Sequence, residues 1–264
     1  MTDSSGQPQL VLQRCQPFTA RRVRVPMDSD RSFRGRLLAG ATSLATVFLD
    51  QDCRLCTAHS GPALLCPDCL ALLQVAKAAC PQCAMPSIRD EVCGQCLKTP
   101  PAFDATLAAM RYAHPADILI RQLKFGGQLP IATLLAERLL ASVRHRLDAI
   151  DLVIPMPLHN SRLAERGFNQ AIELLRPLQA MLHGRILPEG VRRTRATPTQ
   201  SSLPAERRHS NLKGVFACDL PLQGMRIAVV DDVMTTGASV NELAKVLKRA
   251  GAVRVENWVV ARTW

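Results

Sequence analysis

The chain has 264 residues, 47% of them hydrophobic and 4% aromatic, which is length enough for one large domain or two smaller ones and suits an α/β protein rich in Ala, Leu and Val. Its net charge of +11, from 33 basic and 22 acidic residues, and its pI near 9.6 favour an anionic partner (phosphates, nucleic acid or an acidic surface), and a merely soluble basic surface is weighed equally. The apolar run from Leu37 to Leu49 is too short to span a bilayer, which excludes a transmembrane helix there.

Residues 1–35 are polar, with scattered Pro and Arg and no period, and read as a disordered, mildly basic leader. Arg21, Arg22 and Arg24 offer contacts to nucleic acid, though a solvated tail explains them as well; Cys15 is isolated and receives no role. The run after Arg34 and Arg36 faintly mimics a signal peptide, but it starts far from Met1 and lacks a convincing cleavage site. Leu37, Leu38, Ala41, Leu44, Ala45, Phe48 and Leu49 fall at helical spacing, which predicts an amphipathic helix docked on the body of a cytoplasmic protein.

Eight of the ten cysteines then follow in four identically spaced pairs: Cys53/Cys56, Cys66/Cys69, Cys80/Cys83 and Cys93/Cys96. Each pair has the spacing that points two thiolates at one tetrahedral ion, so two pairs make a four-thiolate site. Neighbouring pairs are close in sequence, which predicts two structural Zn²⁺ sites in tandem ribbons, with an interleaved pairing as the alternative. Disulfides need an oxidising compartment, and nothing in the sequence signals secretion. A redox motif uses one such pair, not four in a row. With few apolar residues of its own, the segment depends on the metal to fold. Residues 36–100 thus read as a helix and double zinc ribbon, and residues 101–264 as the main domain.

Beyond Thr99-Pro100-Pro101, a strand is predicted over 105–113, and a helix follows the turn at His114-Pro115. Lys124-Phe125-Gly126-Gly127 ends that helix, and Pro130 opens the next. Asp151 to Ile154 reads as a second buried strand that stops at Pro155-Met156-Pro157, since prolines cannot continue a ladder. A helix is expected to run to about Leu182. Arg162 and Arg166 are four apart and share a face if that helix has begun; two guanidinium groups there suit a pyrophosphate, against the plainer reading of a solvated arginine face. Residues 191–213 are polar, strongly basic and long for a structureless loop, and such loops are usually lids or binding loops. Arg193, Arg195, Arg207 and Arg208 lie in it. Further strands are expected over 214–217 and 254–261, with Trp258 and Trp264 in packing roles.

The richest stretch is residues 227–239. An apolar run, Ile227 to Val230, reads as a buried parallel strand ending in Asp231 and Asp232. Thr235, Thr236, Gly237, Ala238 and Ser239 follow, and then a helical pattern. Open α/β sheets bind ligands at the carboxyl ends of their strands. Glycine permits close backbone approach to a phosphate, whose charge the amides at a helix start would receive. Neighbouring carboxylates accept hydrogen bonds from a vicinal diol. An anion cradle one turn from a diol clamp fits a ribose 5-phosphate. No Lys follows the glycine, so this is not a P-loop. The bland alternative is a strand end and helix cap.

In combination these segments resemble the ComF family of phosphoribosyltransferase-like proteins, associated with DNA uptake in natural competence and, in a close relative, with gluconate utilisation. The match rests on the cysteine pairs before Pro100-Pro101, on Ile154 to Pro157 with Arg162 and Arg166-Gly167-Phe168-Asn169-Gln170, on Arg195 to Gln200 with Arg207 to Asn211, and on Val229 to Ser239. The resemblance implies a type I phosphoribosyltransferase-like parallel sheet flanked by helices, preceded by a small double zinc ribbon. It implies that Asp231 and Asp232 hold the ribose, that residues 235–239 hold the 5-phosphate, and that Pro155, Met156 and Pro157 lie beside the pyrophosphate. It makes residues 192–213 a mobile flap, with Mg²⁺ travelling with the pyrophosphate. Two functions follow from it: an enzyme that moves a phosphoribosyl group from phosphoribosyl pyrophosphate to an unknown acceptor, or a non-catalytic protein that handles single-stranded DNA beside the uptake machinery and uses the same pocket for an effector or a phosphate. The chain carries no glutamine-hydrolysing cysteine and no segment that reads as a nucleobase pocket.

Overall fold

A computed structural model describes residues 50–73, 78–195 and 214–264, all within one compact unit, Leu49–Trp264. The expected leader and the helix over 37–49 lie outside the described residues.

Two small modules built alike open this unit. In the first, β1 (Gln51–Asp52) and β2 (His59–Gly61) pair antiparallel, and the short helix α1 (Pro67–Ala71) starts at Cys66. In the second, helix α2 (Gly94–Lys98) starts at Cys93. Each leading Cys pair sits in a tight turn, with Thr57 N donating to Cys53 O and Ala84 N to Cys80 O, both at 2.9 Å. Thr57 and Ala84 accordingly take the left-handed φ of 61° and 55°.

The remaining elements, in chain order, are β3 (Ala105–Arg111), α3 (Ala116–Gly126), α4 (Pro130–Val143), β4 (Leu152–Pro155), α5 (Asn160–Arg166), α6 (Gln170–Leu175), β5 (Val191–Arg193), β6 (Phe216–Cys218), β7 (Arg226–Met234), α7 (Ala238–Arg249) and β8 (Arg254–Arg262). Strands β3, β8, β7 and β4, in that order, form an all-parallel sheet. The expected α/β class, a parallel sheet with helices behind tandem cysteine modules, is therefore present. Strands β5 and β6 make a separate antiparallel pair at the base of the basic loop.

Both faces of the sheet are covered, so its central strands read as apolar runs rather than alternations. One face (Val153, Ala228, Val230, Trp258, Val260) packs on Leu119, Ile120 and Leu123 of α3, on Leu135 and Leu139 of α4, and on Leu174 of α6. The other (Ile154, Ile227, Val229, Val255, Val259) packs on Val240, Leu243 and Leu247 of α7. The first module joins the former core through Cys53, Leu65 and Leu73.

Three boundaries differ from expectation for local reasons. Pro155 belongs to β4, and Met156 N still donates to Val230 O at 2.8 Å, because β4 is an edge strand and Pro155 needs no donor on that side. The helix expected to reach Leu182 stops at Leu175 and passes into a 3-10 turn, Arg176–Leu178, at Pro177, which has no N–H to give. Strand β7 runs through both acids to Met234 instead of ending at Val230.

A carboxylate anchors the middle of the sheet. Glu256, fully buried, accepts from Arg146 Nη2, from Arg254 Nε at 2.7 Å and from Trp258 Nε1 at 3.3 Å. Burial alone raises its pKa, but these donors outweigh burial and hold it below the ordinary value. Its contribution is thus full above the ordinary carboxylate range and is lost as pH falls into the acid range. Glu256→Gln is expected to cost about 3 kcal/mol by leaving Arg146 without its buried partner, measured by denaturant unfolding at pH 7.

Candidate functional site

The cysteines resolve into two clusters, Cys53/Cys56/Cys66/Cys69 and Cys80/Cys83/Cys93/Cys96, each with its sulfurs within 4.8 Å of one another. The pairing is sequential, not interleaved. Sulfur separations of 3.6 Å, between Cys56 and Cys66 and between Cys83 and Cys93, match the roughly 3.8 Å edge of a tetrahedron with zinc–sulfur bonds of about 2.3 Å. Burial raises the Cys53 thiol, yet the amides of Cys66, Cys56 and Leu55 outweigh it and bring the thiol down to about 6. The amides of Cys93, Cys83 and Gln82 likewise bring Cys80 to about 7 against burial. The donor set and its spacing fit a structural Zn²⁺ in each module.

The second site forms where β7 meets α7. Side chains alternate along a strand, so adjacent acids go to opposite faces. Asp232, 3% exposed, turns to the α3 face, where Lys124 Nζ approaches its Oδ1 to 3.0 Å. Its Oδ2 has no hydrogen-bond partner among the described residues. Asp231 stays partly exposed, and its Oδ1 accepts from Asp232 N at 2.8 Å. Surrounding protein, and then the charge of Asp232, push Asp231 up to about 7, with Lys124 pulling the other way.

The loop after β7 turns on Gly237, at φ 78°, where a Cβ would lie 2.6 Å from Met234 Cε. The left-handed backbone favours glycine here, and a side chain would also have to displace the Met234 methyl. Gly237 is also the N-cap of α7 and brings no side chain to the first-turn amides, although Thr236 Oγ1 accepts from Ala238 N at 3.3 Å. Asp231, Thr235, Gly237, Ala238 and Ser239 line a small pocket of about 70 Å³ here. That is the right scale for a group of a few heavy atoms, given roughly 30 Å³ per liquid water. Behind the same loop lies a larger cleft of about 460 Å³, walled by Met85, Phe103, Met234 and Asn241.

The other expected residues arrive from two directions. Arg162 and Arg166 are both within α5, so they share its surface as the spacing required. Arg166 lies over the Phe125 ring at 5.3 Å, and with Lys124, Gly127 and Glu165 it lines a cleft of about 360 Å³. Arg193, on β5, lies over the Phe216 ring at 5.7 Å. Burial lowers its pKa, the Arg162 charge lowers it further, and Asp231 opposes both. Pro155, Met156 and Pro157 are buried, and Asn169 Nδ2 fixes the turn by donating to Met156 O at 3.1 Å. Only their backbone is left to meet a ligand. Arg195 is exposed, and Arg207 and Arg208 lie outside the described residues.

Sequence reasoning missed two residues. Lys124 was read only as part of a helix end, though a lysine before Gly-Gly is well placed to reach a neighbouring strand tip. Arg262 ends the apolar strand β8 and is 5% exposed; a charge at the close of such a run was the available signal.

A family described as the double zinc ribbon domain matches residues 44–97. The DNA utilization protein YhgH of Escherichia coli K12 is 40% identical over 205 residues, covering 75% of this chain and 90% of that protein. Competence protein F of Haemophilus influenzae is 37% identical over 180 residues, covering 64% of this chain and 78% of that protein. The chain belongs to the ComF family. Among solved structures, a hypoxanthine phosphoribosyl transferase of Trypanosoma cruzi overlays with a TM-score of 0.30 at 14% identity, covering 48% of this chain and 60% of that one. An allosteric regulatory enzyme of purine biosynthesis overlays at 0.31 and 16% identity; the overlay covers 49% of this chain and 26% of that enzyme. In this ComF-family chain no described helix is long and apolar enough to cross a membrane.

Two measurements check the site. Metal analysis of the purified protein is expected to find two zinc ions per chain. Because Asp231 is raised in the folded state, it binds a proton there between about pH 4 and 7 that the unfolded chain releases, so ionising it costs stability as pH rises. Asp231→Asn is accordingly expected to stabilise the unliganded protein at pH 8, on the order of 1 kcal/mol, and to leave it little changed at pH 5.

Proposed function

We propose that this protein binds phosphoribosyl pyrophosphate at the β7–α7 junction. The observation that carries the reading is the pairing of a half-open carboxylate, Asp231, with a glycine-turned helix start around one pocket of about 70 Å³. In this reading the 5-phosphate sits on the amides and hydroxyls of residues 235–239, where the positive end of α7 faces it. The ribose diol donates to Asp231, with Asp232 behind it. Arg162 and Arg193 face the pyrophosphate, Arg166 borders the adjoining cleft, and the 192–213 loop closes over the ligand.

Among the described residues the only clusters of three or more metal-binding side chains are the two cysteine sites. Mg²⁺ would come with the pyrophosphate, as it does where one or two carboxylates and substrate phosphates share it. When bound, it supplies neutralising charge to the leaving group. Should the ligand be turned over, pyrophosphate departs from the anomeric carbon and positive charge develops on the sugar ring. Asp231 and Asp232 would stabilise that charge while Arg162 and Arg193 receive the pyrophosphate.

Handling of single-stranded DNA is the second reading. The net charge of +11 and the arginines of the loop favour it, as do the names of the E. coli and H. influenzae relatives. Both readings use the same pocket.

Phosphoribosyl pyrophosphate with Mg²⁺ is expected to raise the melting temperature, and Asp231→Asn, alone or with Asp232→Asn, to abolish the rise. An unchanged melting curve at saturating ligand rejects the pocket in both readings. Affinity for the ligand should increase as pH rises through about 7, because the carboxylate of Asp231 is the form that accepts from the diol. Release of pyrophosphate across a panel of nitrogen acceptors decides turnover. For the DNA reading, affinity for an oligonucleotide should fall steeply between about 50 and 200 mM salt, as counterion release requires.

A further inference from the structure

The second cysteine module does not share the sheet's hydrophobic core; its buried cysteines form a small cluster of their own with Met85 and Val92. It is joined to the sheet by polar contacts instead. Thr106 N, on edge strand β3, donates to Pro81 O at 3.0 Å. Arg262 makes the other join. Its Nε donates to Cys83 O at 2.9 Å, and its Nη1 donates to Met234 O at 3.1 Å, to Thr235 O, and to Thr263 O at 2.6 Å. One guanidinium thus holds a carbonyl of the zinc module and two consecutive carbonyls of the phosphate loop.

We infer that Arg262 is a positioning residue through which the zinc-bound second module sets the shape of the phosphate loop. The first argument is geometric. In a trans peptide the carbonyl and the following N–H point in opposite directions. Drawing Met234 O and Thr235 O toward Arg262 turns the N–H groups of Thr235 and Thr236 away from it, and these residues open the loop that frames the pocket. The second argument is electrostatic. Among the described residues no carboxylate is paired with this buried guanidinium, and a buried charge needs compensation. Its compensation is the set of carbonyls of Cys83, Met234, Thr235 and Thr263. A folded metal site fixes Cys83, and a module that loses its ion releases that carbonyl. The first module holds to the sheet through apolar packing and, among the described residues, makes no such tie to the loop.

The consequence for ligand affinity rests on the phosphoribosyl pyrophosphate reading; the consequence for loop order does not. The test uses the full chain with both zincs loaded, Arg262→Met and Arg262→Lys variants, and a Cys96→Ser variant. Hydrogen exchange of residues 234–240 and binding of phosphoribosyl pyrophosphate are measured in each. In Arg262→Met the 234–240 amides are expected to exchange about tenfold faster while the zinc content stays at two, and affinity to fall about tenfold; Arg262→Lys should restore part of both, and Cys96→Ser should reproduce the faster exchange. A merely structural role lowers the melting temperature but leaves exchange in this loop no faster than in the 221–225 turn, and that result overturns the inference. Exchange and affinity within twofold of the native protein in Arg262→Met also overturn it. If Arg262→Met does not fold, Arg262→Lys and Cys96→Ser decide by the same exchange measurement. If the native protein binds no phosphoribosyl pyrophosphate, the functional reading falls and exchange alone decides the inference.

Discussion

Two adjacent carboxylates near the end of a central strand, with protein on both faces, cannot both remain charged without specific help. Much of the architecture around β7 answers that constraint. Alternation assigns Asp232 to the face covered by α3, and α3 ends at the left-handed Gly127 just beyond Lys124, which reaches the acid. Asp231 receives no lysine. It is held open beside the loop instead, where a neighbour's charge and partial burial keep it reluctant to ionise. The pair thus divides into a neutralised member and an available one, and only the second has a free path to a ligand.

The two cysteine modules share one construction and differ in attachment. A tight turn presents the first pair of thiols and a helix start presents the second, twice over. The first module then contributes leucines to the sheet's core, while the second contributes carbonyls to buried donors. Apolar attachment is indifferent to metal charge as long as the module is folded. Attachment through a guanidinium depends on where the module holds Cys83 O, and this difference ties the second module to the far end of β7.

Much of this was legible in the chain. The cysteine spacing gave both zinc clusters, since tetrahedral geometry dictates a short loop between ligands. The apolar run before Asp231 gave the central strand, because a strand buried on both faces has nowhere to put polar residues. What escaped was long-range. Lys124 and Asp232 are far apart in sequence, as are Arg262 and Cys83, and no local pattern announces a pairing made by topology. Helix length after Gln170 was overestimated because its apolar spacing continued past Pro177, where the missing N–H outweighs periodicity. The acids were taken as the strand's end, yet extended backbone persists to Met234 because β8 continues to pair alongside.

The electrostatic imbalances of the site have a common sign. Burial and then the charge of Arg162 hold Arg193 below its ordinary pKa, so an anion beside Arg193 lowers its energy. Asp231 and Asp232 oppose one another, so hydroxyl donors at the half-open acid relieve that pair. The start of α7 adds a positive end that favours negative charge. Each imbalance costs stability in the unliganded protein, and sequences tolerate such costs mainly where a ligand recovers them. A molecule that answers the arginines, the half-open acid and the helix start together carries phosphate groups at two ends and hydroxyl donors between them, the chemistry of the pyrophosphorylated ribose phosphate proposed as the ligand. A plain DNA backbone would satisfy the arginines and the helix start but, lacking a vicinal diol, would leave the acids as they are.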